Sequence, residues 1–204
     1  MSFYEPSDKI LAWLPAIHRV RDDMNLSSVK YSDALMLAFL HRETHPIGRA
    51  DSHREGSPFY SGLQFANPYL ADALAYLDDD SMSDSARDYH GKVDPALRVF
   101  FGHMEKYKGT HQYEPSMIAV IHKAGIGSAV KVRRLLNQGK VKSVLEALED
   151  HINIHNDVKY LTTWQRLLTT YSQWVQIEND KLDVCSMQYL GSFDDWPEIE
   201  GVIE

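Results

Sequence analysis

Apolar residues recur every three to four positions along most of the chain, a spacing typical of amphipathic α-helices. In the run 34–40 every residue is apolar, so a helix here has no polar face and is expected to be buried all round. Ser32 or Ser27 would cap this helix, and Glu43 would end it. Further helices are predicted over 9–24, 68–77, 95–108, 115–125, 129–138, 141–154 and 158–179, with a bend or late start at Pro15, a cap at Asn67 and a left-handed stop at Gly125. The fold class is therefore mainly α.

Between the helices that end at Glu43 and begin at Pro68, the periodicity disappears. Residues 44–67 are rich in Gly, Pro, Ser and His. A stretch of this length without its own helix is uncommon in a compact domain and is often functional. We therefore expect a small irregular lobe here, with at most a short hairpin.

The last predicted helix carries an aromatic stripe. Tyr160, Trp164, Leu167, Tyr171 and Trp174 follow one another at intervals of four and three, which predicts one face that docks on the rest of the protein. The tail beyond it contains five acidic residues after position 193. These patterns divide the chain into a body over 1–157 and a docking helix with an acidic tail over 158–204.

Composition narrows the classes of function. The chain has 204 residues, of which 21 are basic and 29 acidic, a net charge of −8 that argues against a nucleic-acid or anionic-membrane binder. The longest apolar run, 34–40, is too short for a transmembrane segment. Glu5, Asp8 and Pro15 do not fit a secretory signal. A single cysteine, Cys185, excludes a disulfide framework and a multi-cysteine zinc site.

Glu43 is the strongest candidate for chemistry. Leu40 and Phe39 precede it by three and four positions, so its carboxylate continues an apolar stripe at the end of the buried helix. A partly desolvated carboxyl favours its protonated form, which a general acid for a glycosidic oxygen requires. The alternative is a surface glutamate paired with Arg42 or His45.

The order of short motifs around Glu43 resembles that of the goose-type lysozyme and soluble lytic transglycosylase superfamily. The family has a buried helix ending in Glu-Ser, a Gly-Leu-Met-Gln turn, a proline before the next helix and a later Tyr-Asn-Ala-Gly-x-Gly motif. This chain has Glu43-Thr44, then 61–64 with the letters SGLQ, Pro68, and 122–127 with the letters HKAGIG. The resemblance covers roughly residues 30–136. It implies a lysozyme-like helical body with extra C-terminal helices.

The resemblance implies roles for individual residues. Glu43 corresponds to the catalytic acid/base, and the implied substrate-binding residues are Thr44, Tyr60, Ser61, Gly62, Leu63, Gln64, Tyr69, His122, Ala124 and Gly125. The Gly-Leu-Met-Gln turn is one residue shorter here. His122 and Lys123 stand where the family has tyrosine and asparagine. We expect His122 to face the cleft opposite Glu43 and to become charged below about pH 6.5.

The residues support the same interpretation physically. Gly62 would let the backbone approach a sugar closely, and Gln64 offers both a donor and an acceptor to an acetamido group. Tyr60, Phe59 and Tyr69 are aromatic platforms for sugar rings. In a hydrolase, Asp51 or Glu55 would position water, whereas a transglycosylase needs no second carboxylate. We favour the transglycosylase.

The predicted substrate is the glycan strand of peptidoglycan, with no organic cofactor. A metal site is not expected, although the nearby acids and histidines include His41, His45 and His53, because no HExxH motif or cysteine pair is present. Without a signal, the enzyme would reach the wall in a phage particle, through a holin or through a secretion system. The alternative is a non-catalytic structural or glycan-binding protein of such an assembly.

Overall fold

A computed structural model describes residues 6–44, 47–53, 55–149 and 155–189, with the side chains of the last segment described over 157–179. The described part is mainly helical, as expected. Its helices are α1 Asp8–Leu11, α2 Leu14–Asp23, α3 Asp33–Glu43, α4 Asn67–Leu77, a 3₁₀ helix Ala86–Tyr89, α5 Val93–Lys106, α6 Lys108–His111, α7 Pro115–Asn137, α8 Val144–Ala147 and α9 His155–Tyr189. None of these helices meets the length and apolarity that crossing a membrane requires.

Helix α3 forms the centre of the core. The Ser32 hydroxyl accepts a hydrogen bond of 3.2 Å from the Leu35 amide, and residues 34–40 are all buried, so the expected helix and its complete burial are confirmed. The Phe39 ring packs against Phe100 at 5.2 Å and Trp164 at 5.1 Å between ring centroids. Elements distant in sequence therefore meet on α3.

The predicted first helix is divided. Its residues form α1 and α2, and Pro15 lies in the first turn of α2, where a missing amide proton costs nothing. The expected cap at Asn67 is wrong, because Ala66 occupies the cap position of α4 and the Asn67 Oδ1 instead accepts a 2.9 Å hydrogen bond from the Ala86 amide.

The irregular lobe contains one short antiparallel pairing. The backbones of Tyr60 and Phe65 exchange hydrogen bonds of 3.0 and 3.2 Å, and Ser61 and Gln64 adopt positive φ angles between them. The expected hairpin is thus a single bridge closed by a tight turn.

The kink at Gly125 divides α7 into two helical segments, so the helix break predicted at this glycine is confirmed. Its φ of 78° and ψ of 169° lie in a region that only glycine adopts readily, rather than in the expected left-handed helical region. The helix predicted over 141–154 is represented by the short α8, and 150–154 lie outside the described residues.

The aromatic stripe of α9 docks on the body, as predicted. Tyr160, Trp164 and Tyr171 are buried in the same core as α3, and Leu167 and Trp174 pack at its edge. Helix α9 is longer than the predicted 158–179, while the acidic residues after position 193 lie outside the described part. The N-terminal half of α9 therefore supplies part of the core.

Candidate active site

Glu43 is the last residue of α3, and its side chain is 14% exposed. The Tyr160 hydroxyl on α9 donates a hydrogen bond of 2.5 Å to its Oε1 atom. Burial, reinforced by the Glu43 charge, raises the pKa of Tyr160 well above its usual value, so the phenol keeps its proton and remains a donor. Glu43 is therefore a largely buried carboxylate held by a neutral phenol.

The alternative for Glu43 was a surface ion pair with Arg42 or His45. Arg42 does not form this pair. The Arg42 guanidinium lies over the Tyr160 ring, with its central carbon 4.9 Å from the ring centroid. It forms no ion pair within 4.0 Å with any carboxylate of the described residues. His45 lies outside them.

His122 reaches Glu43 from α7. Its Nε2 atom lies 3.9 Å from Glu43 Oε1, which confirms the expected proximity. The imidazole packs against Phe39 and Phe100, with centroid distances of 5.1 and 5.6 Å. Burial lowers the pKa of His122 although Glu43 opposes the effect, so the expectation of a charge below about pH 6.5 is wrong and the ring stays neutral to lower pH.

A cleft of about 400 Å³ opens beside His122, between the irregular lobe, the start of α4 and the kink of α7. Its walls include Phe59, Gln64, Tyr69, His122, Lys123 and Gly125. Glu43 does not line it but contacts the wall residue His122. The residues of three separate sequence motifs thus meet around one cleft, with Glu43 in the layer next to it.

The floor of the cleft contains buried polar atoms without hydrogen-bond partners among the described residues: Tyr69 Oη, His103 Nδ1 and His122 Nδ1. The Tyr69 and His103 rings are stacked with centroids 3.5 Å apart. Burial and the neighbouring His122 lower the pKa of His103 to about 3, so this ring is neutral too. Unpartnered polar atoms next to a cavity are costly and uncommon, and they cluster at functional sites.

Gln64 also lies in the cleft wall. Its Nε2 atom donates to the carbonyl oxygens of Ser52 and Ser61, at 2.6 and 2.7 Å, so the donor expected for a sugar is already used. Tyr60 is stacked on His53 with centroids 4.4 Å apart, whereas Phe59 is 46% exposed and offers its ring to the cleft.

The turn before Gln64 packs inward rather than toward a ligand. A Cβ atom on Gly62 would lie 2.7 Å from the Trp13 ring, so glycine is required here by the core and not by a sugar. Leu63 is fully buried, and the buried Ser61 hydroxyl accepts a 3.2 Å bond from the Leu63 amide. The substrate contacts expected of Ser61, Gly62 and Leu63 are therefore wrong for this conformation.

Thr44 has a structural role. Its hydroxyl donates to the Leu40 carbonyl at 2.5 Å and accepts from the Gly48 amide at 2.6 Å, and the residue is buried. It closes the end of α3 and fixes the start of the lobe. The expected substrate contact at Thr44 is wrong.

The two residues at the kink of α7 have different surroundings. Gly125 lines the cleft, as expected, while Ala124 packs against the core outside the cleft wall. A Cβ atom on Gly125 would meet no atom within 4 Å, so only the backbone conformation requires glycine here.

The two carboxylates expected to assist hydrolysis do not join Glu43. Asp51 forms an ion pair with Arg49, whose hydrogen bond lowers the pKa of Asp51. Glu55 is exposed, and neither residue lines the cleft. A different carboxylate, Asp157, is 8% exposed and lies one helical turn before Tyr160. Burial raises its pKa, opposed by the charge of Lys123.

No group of three His, Cys, Asp or Glu side chains in the described part of the chain is arranged to hold a metal ion. His41 forms a 2.8 Å hydrogen bond with the Tyr171 hydroxyl, which anchors α9 on α3. His45 lies outside the described residues.

Sequence reasoning missed Tyr160 and His103 as members of the site, and Asp157, which lies near Tyr160 and Lys123 outside the cleft wall. Tyr160 had one usable signal, since a tyrosine in a buried aromatic stripe needs a partner for its hydroxyl. His103 and Asp157 had no such signal in the sequence, because only the packing of α5 and α9 brings them close to the site.

Comparisons with protein-family models, with curated proteins and with solved structures found no match for this chain.

Proposed function

We propose that the protein is a peptidoglycan lytic transglycosylase that cleaves the β-1,4 bond between N-acetylmuramic acid and N-acetylglucosamine, with Glu43 as general acid and base. One observation carries the proposal: Glu43, 14% exposed and hydrogen-bonded by Tyr160, contacts a wall residue of a 400 Å³ cleft. A carboxyl group that is shielded from solvent and close to a cleft suits the protonation of a glycosidic oxygen. The lysozyme-like fold is part of this proposal.

The reaction would use one carboxyl group twice. Glu43 donates its proton to the leaving oxygen of N-acetylglucosamine while the bond from that oxygen to C1 of the muramyl sugar breaks. The resulting carboxylate takes the proton of the muramyl C6 hydroxyl as that oxygen bonds to C1. The product is a 1,6-anhydro end, and Glu43 is protonated again without water being consumed.

The surroundings of Glu43 favour this outcome over hydrolysis. Asp51 is neutralised by Arg49, and Glu55 is exposed away from the cleft wall. Asp157 is the buried carboxylate on the α9 side of the site, and it is the residue to test for a role in positioning water. Delivery to the wall in a phage particle, by a holin or by a secretion system remains part of the proposal.

One observation favours a second candidate, a non-catalytic glycan-binding protein of such an assembly. Glu43 is not itself in the cleft wall, and His122 lies between it and the cleft. Such a protein would bind glycan strands with Phe59 and Tyr69 and leave them intact.

The two candidates are distinguished by incubating the purified protein with peptidoglycan sacculi and identifying the released fragments by mass spectrometry. Fragments with anhydromuramyl ends support the transglycosylase. Reducing muramyl ends would show a hydrolase. Binding of the protein to sacculi without any released fragment would support the non-catalytic candidate.

A further inference from the structure

Two cations cover the phenol that holds Glu43. The Arg42 guanidinium carbon lies 4.9 Å from the Tyr160 ring centroid, and the Lys123 Nζ atom lies 5.4 Å from it. Tyr160 is only 3% exposed, whereas both cations are exposed. The positive charges therefore lie between the buried Glu43–Tyr160 pair and solvent.

Neither cation is neutralised by an ion pair within 4.0 Å to a carboxylate of the described residues. The charge of Lys123 acts on Asp157, whose pKa it lowers against the effect of burial, without a salt bridge between the two residues. The other cation near the cleft, Lys106, is bonded to Asp72 at 2.5 Å. Two exposed cations without a close carboxylate partner thus lie beside the buried Glu43, in a chain whose net charge is −8.

The basic residues farther along α7, Lys131, Arg133 and Arg134, do not provide an equivalent site. Arg133 is used internally, since it donates to the carbonyl oxygens of Thr110 and His111 and to the Glu114 carboxylate. Lys131 and Arg134 are exposed on α7 beyond the kink, and neither lies over the Tyr160 ring that holds Glu43. Position, rather than the number of cations, distinguishes Arg42 and Lys123.

We propose that Arg42 and Lys123, which share the Tyr160 ring beside Glu43, form a carboxylate-binding subsite next to the cleft that Lys123 lines, and that its ligand is a free carboxylate of the peptide carried by the muramyl sugar. This inference rests on the proposed function. When the lactyl carboxyl of the muramyl sugar carries a peptide, the glycan itself is uncharged, so cations next to the cleft would select the carboxylates of the peptide. Arginine presents a planar donor fork that matches a carboxylate, and lysine adds a second, mobile donor.

The subsite also has a consequence for specificity. A glycan strand that carries peptides would be held with its muramyl sugar next to Glu43, whereas a neutral strand has no such anchor. Two exposed cation–carboxylate contacts are worth about five- to tenfold in affinity together. Higher salt should remove this preference, because exposed charges are screened.

The test measures binding to the full chain with Glu43→Gln, which leaves the ligand uncut. Calorimetry would compare three glycans of equal length: peptide-bearing fragments with free carboxylates, the same fragments with their carboxylates converted to amides, and a neutral chito-oligosaccharide. We expect the free carboxylates to bind five- to tenfold more tightly than the amides. Adding Arg42→Gln and Lys123→Gln should bring the two affinities within twofold.

The matched control is the pair Lys131→Gln and Arg134→Gln, which removes the same two charge types from an exposed part of α7. This control should keep the preference. Equal affinity for carboxylate and amide, or an equal loss in the control pair, overturns the subsite and leaves the proposed function standing. Absence of binding to all three glycans by the folded protein overturns both.

Discussion

The hydroxyl of Tyr160 donates a 2.5 Å hydrogen bond to the carboxylate of Glu43, joining residues that are 117 positions apart in the chain. Tyr160 comes from α9 and Glu43 ends α3, so the contact fixes the two helices at the candidate site. The Tyr160 hydroxyl bonds to the Oε1 atom of Glu43, and no other described residue donates a hydrogen bond to its Oε2 atom. The carboxylate is therefore held in one orientation with one oxygen left for chemistry.

Replacing Tyr160 by phenylalanine tests this positioning. Tyr160→Phe removes the donor and keeps the ring on which Arg42 and Lys123 lie. We expect kcat to fall by about tenfold with KM nearly unchanged, because a misplaced acid affects the reaction more than binding. Steady-state kinetics on soluble glycan strands measures both constants.

Tyr171→Phe is the matched control. It removes a buried hydroxyl from the same helix, but this one bonds to His41 at 2.8 Å. Both variants should lose about 1 kcal/mol of unfolding free energy. Equal loss of kcat in the two variants would mean that the Tyr160 hydroxyl stabilises the fold without positioning Glu43.

The buried imidazole of His122 predicts a pH dependence of stability. Its folded-state pKa is lowered by burial, so the unfolded chain binds a proton on this residue below about pH 6.5 while the folded protein does not. Its contribution to stability is present above about pH 6.5 and decreases as the pH falls toward the lowered value. His122→Tyr and His122→Gln should both lessen the drop in melting temperature between pH 7 and about pH 5.

The activity profile follows the same reasoning. Because burial lowers the pKa of His122, its imidazole stays neutral at and somewhat below pH 6.5. The activities of wild type and His122→Tyr should therefore fall together as the pH is lowered through 6.5, and should differ only at more acidic pH. If the activity of the wild type differed from that of His122→Tyr already near pH 6.5, His122 would titrate like an exposed histidine, contrary to its burial.

The absence of a second catalytic carboxylate can be tested with three variants. Asp51→Asn and Glu55→Gln should leave turnover within a few-fold of wild type, since neither residue contacts Glu43 or lines the cleft. Asp157→Asn should also keep anhydromuramyl products. A hundredfold loss in Asp157→Asn together with reducing ends in the wild-type products would identify Asp157 as the residue that positions water.

Gly62→Ala tests whether the turn serves the core. The added Cβ atom would lie 2.7 Å from Trp13, which predicts a loss of about 1–3 kcal/mol in unfolding free energy. Gly109→Ala, in α6 with no atom within 4 Å of its Cβ position, should cost nothing. Denaturant unfolding compares the two; a stable Gly62→Ala protein with poor glycan binding would instead restore the sugar contact predicted from the sequence.

Local patterns were sufficient for some features. The Ser32 cap and the seven apolar residues over 34–40 predicted α3 and its burial, because both depend on residues within the helix. The stripe of α9 likewise predicted its docking face. The same local pattern predicted Glu43 at the helix end, whereas the proximity of His122 to Glu43 was implied only by the family resemblance.

Other features depend on packing between distant segments. Gly62 packs against Trp13, and the Thr44 hydroxyl accepts a hydrogen bond from the Gly48 amide. These contacts give both residues structural roles in place of the ligand contacts that the order of motifs implied. The spacing of residues along α9 does not say where it crosses α3, so the Tyr160–Glu43 bond was not predictable in detail. The burial that lowers the pKa of His122 arises from three separate elements around its ring.

The most direct measurement compares wild-type protein with Glu43→Gln on purified peptidoglycan sacculi, with released fragments quantified by mass spectrometry. The substitution keeps the size and polarity of the side chain and removes its acidic proton. We expect anhydromuramyl fragments from the wild type and a rate lower by about a hundredfold or more in the variant, at an unchanged melting temperature. A folded Glu43→Gln protein that releases fragments within a few-fold of the wild-type rate would contradict the assignment of Glu43 as the catalytic acid.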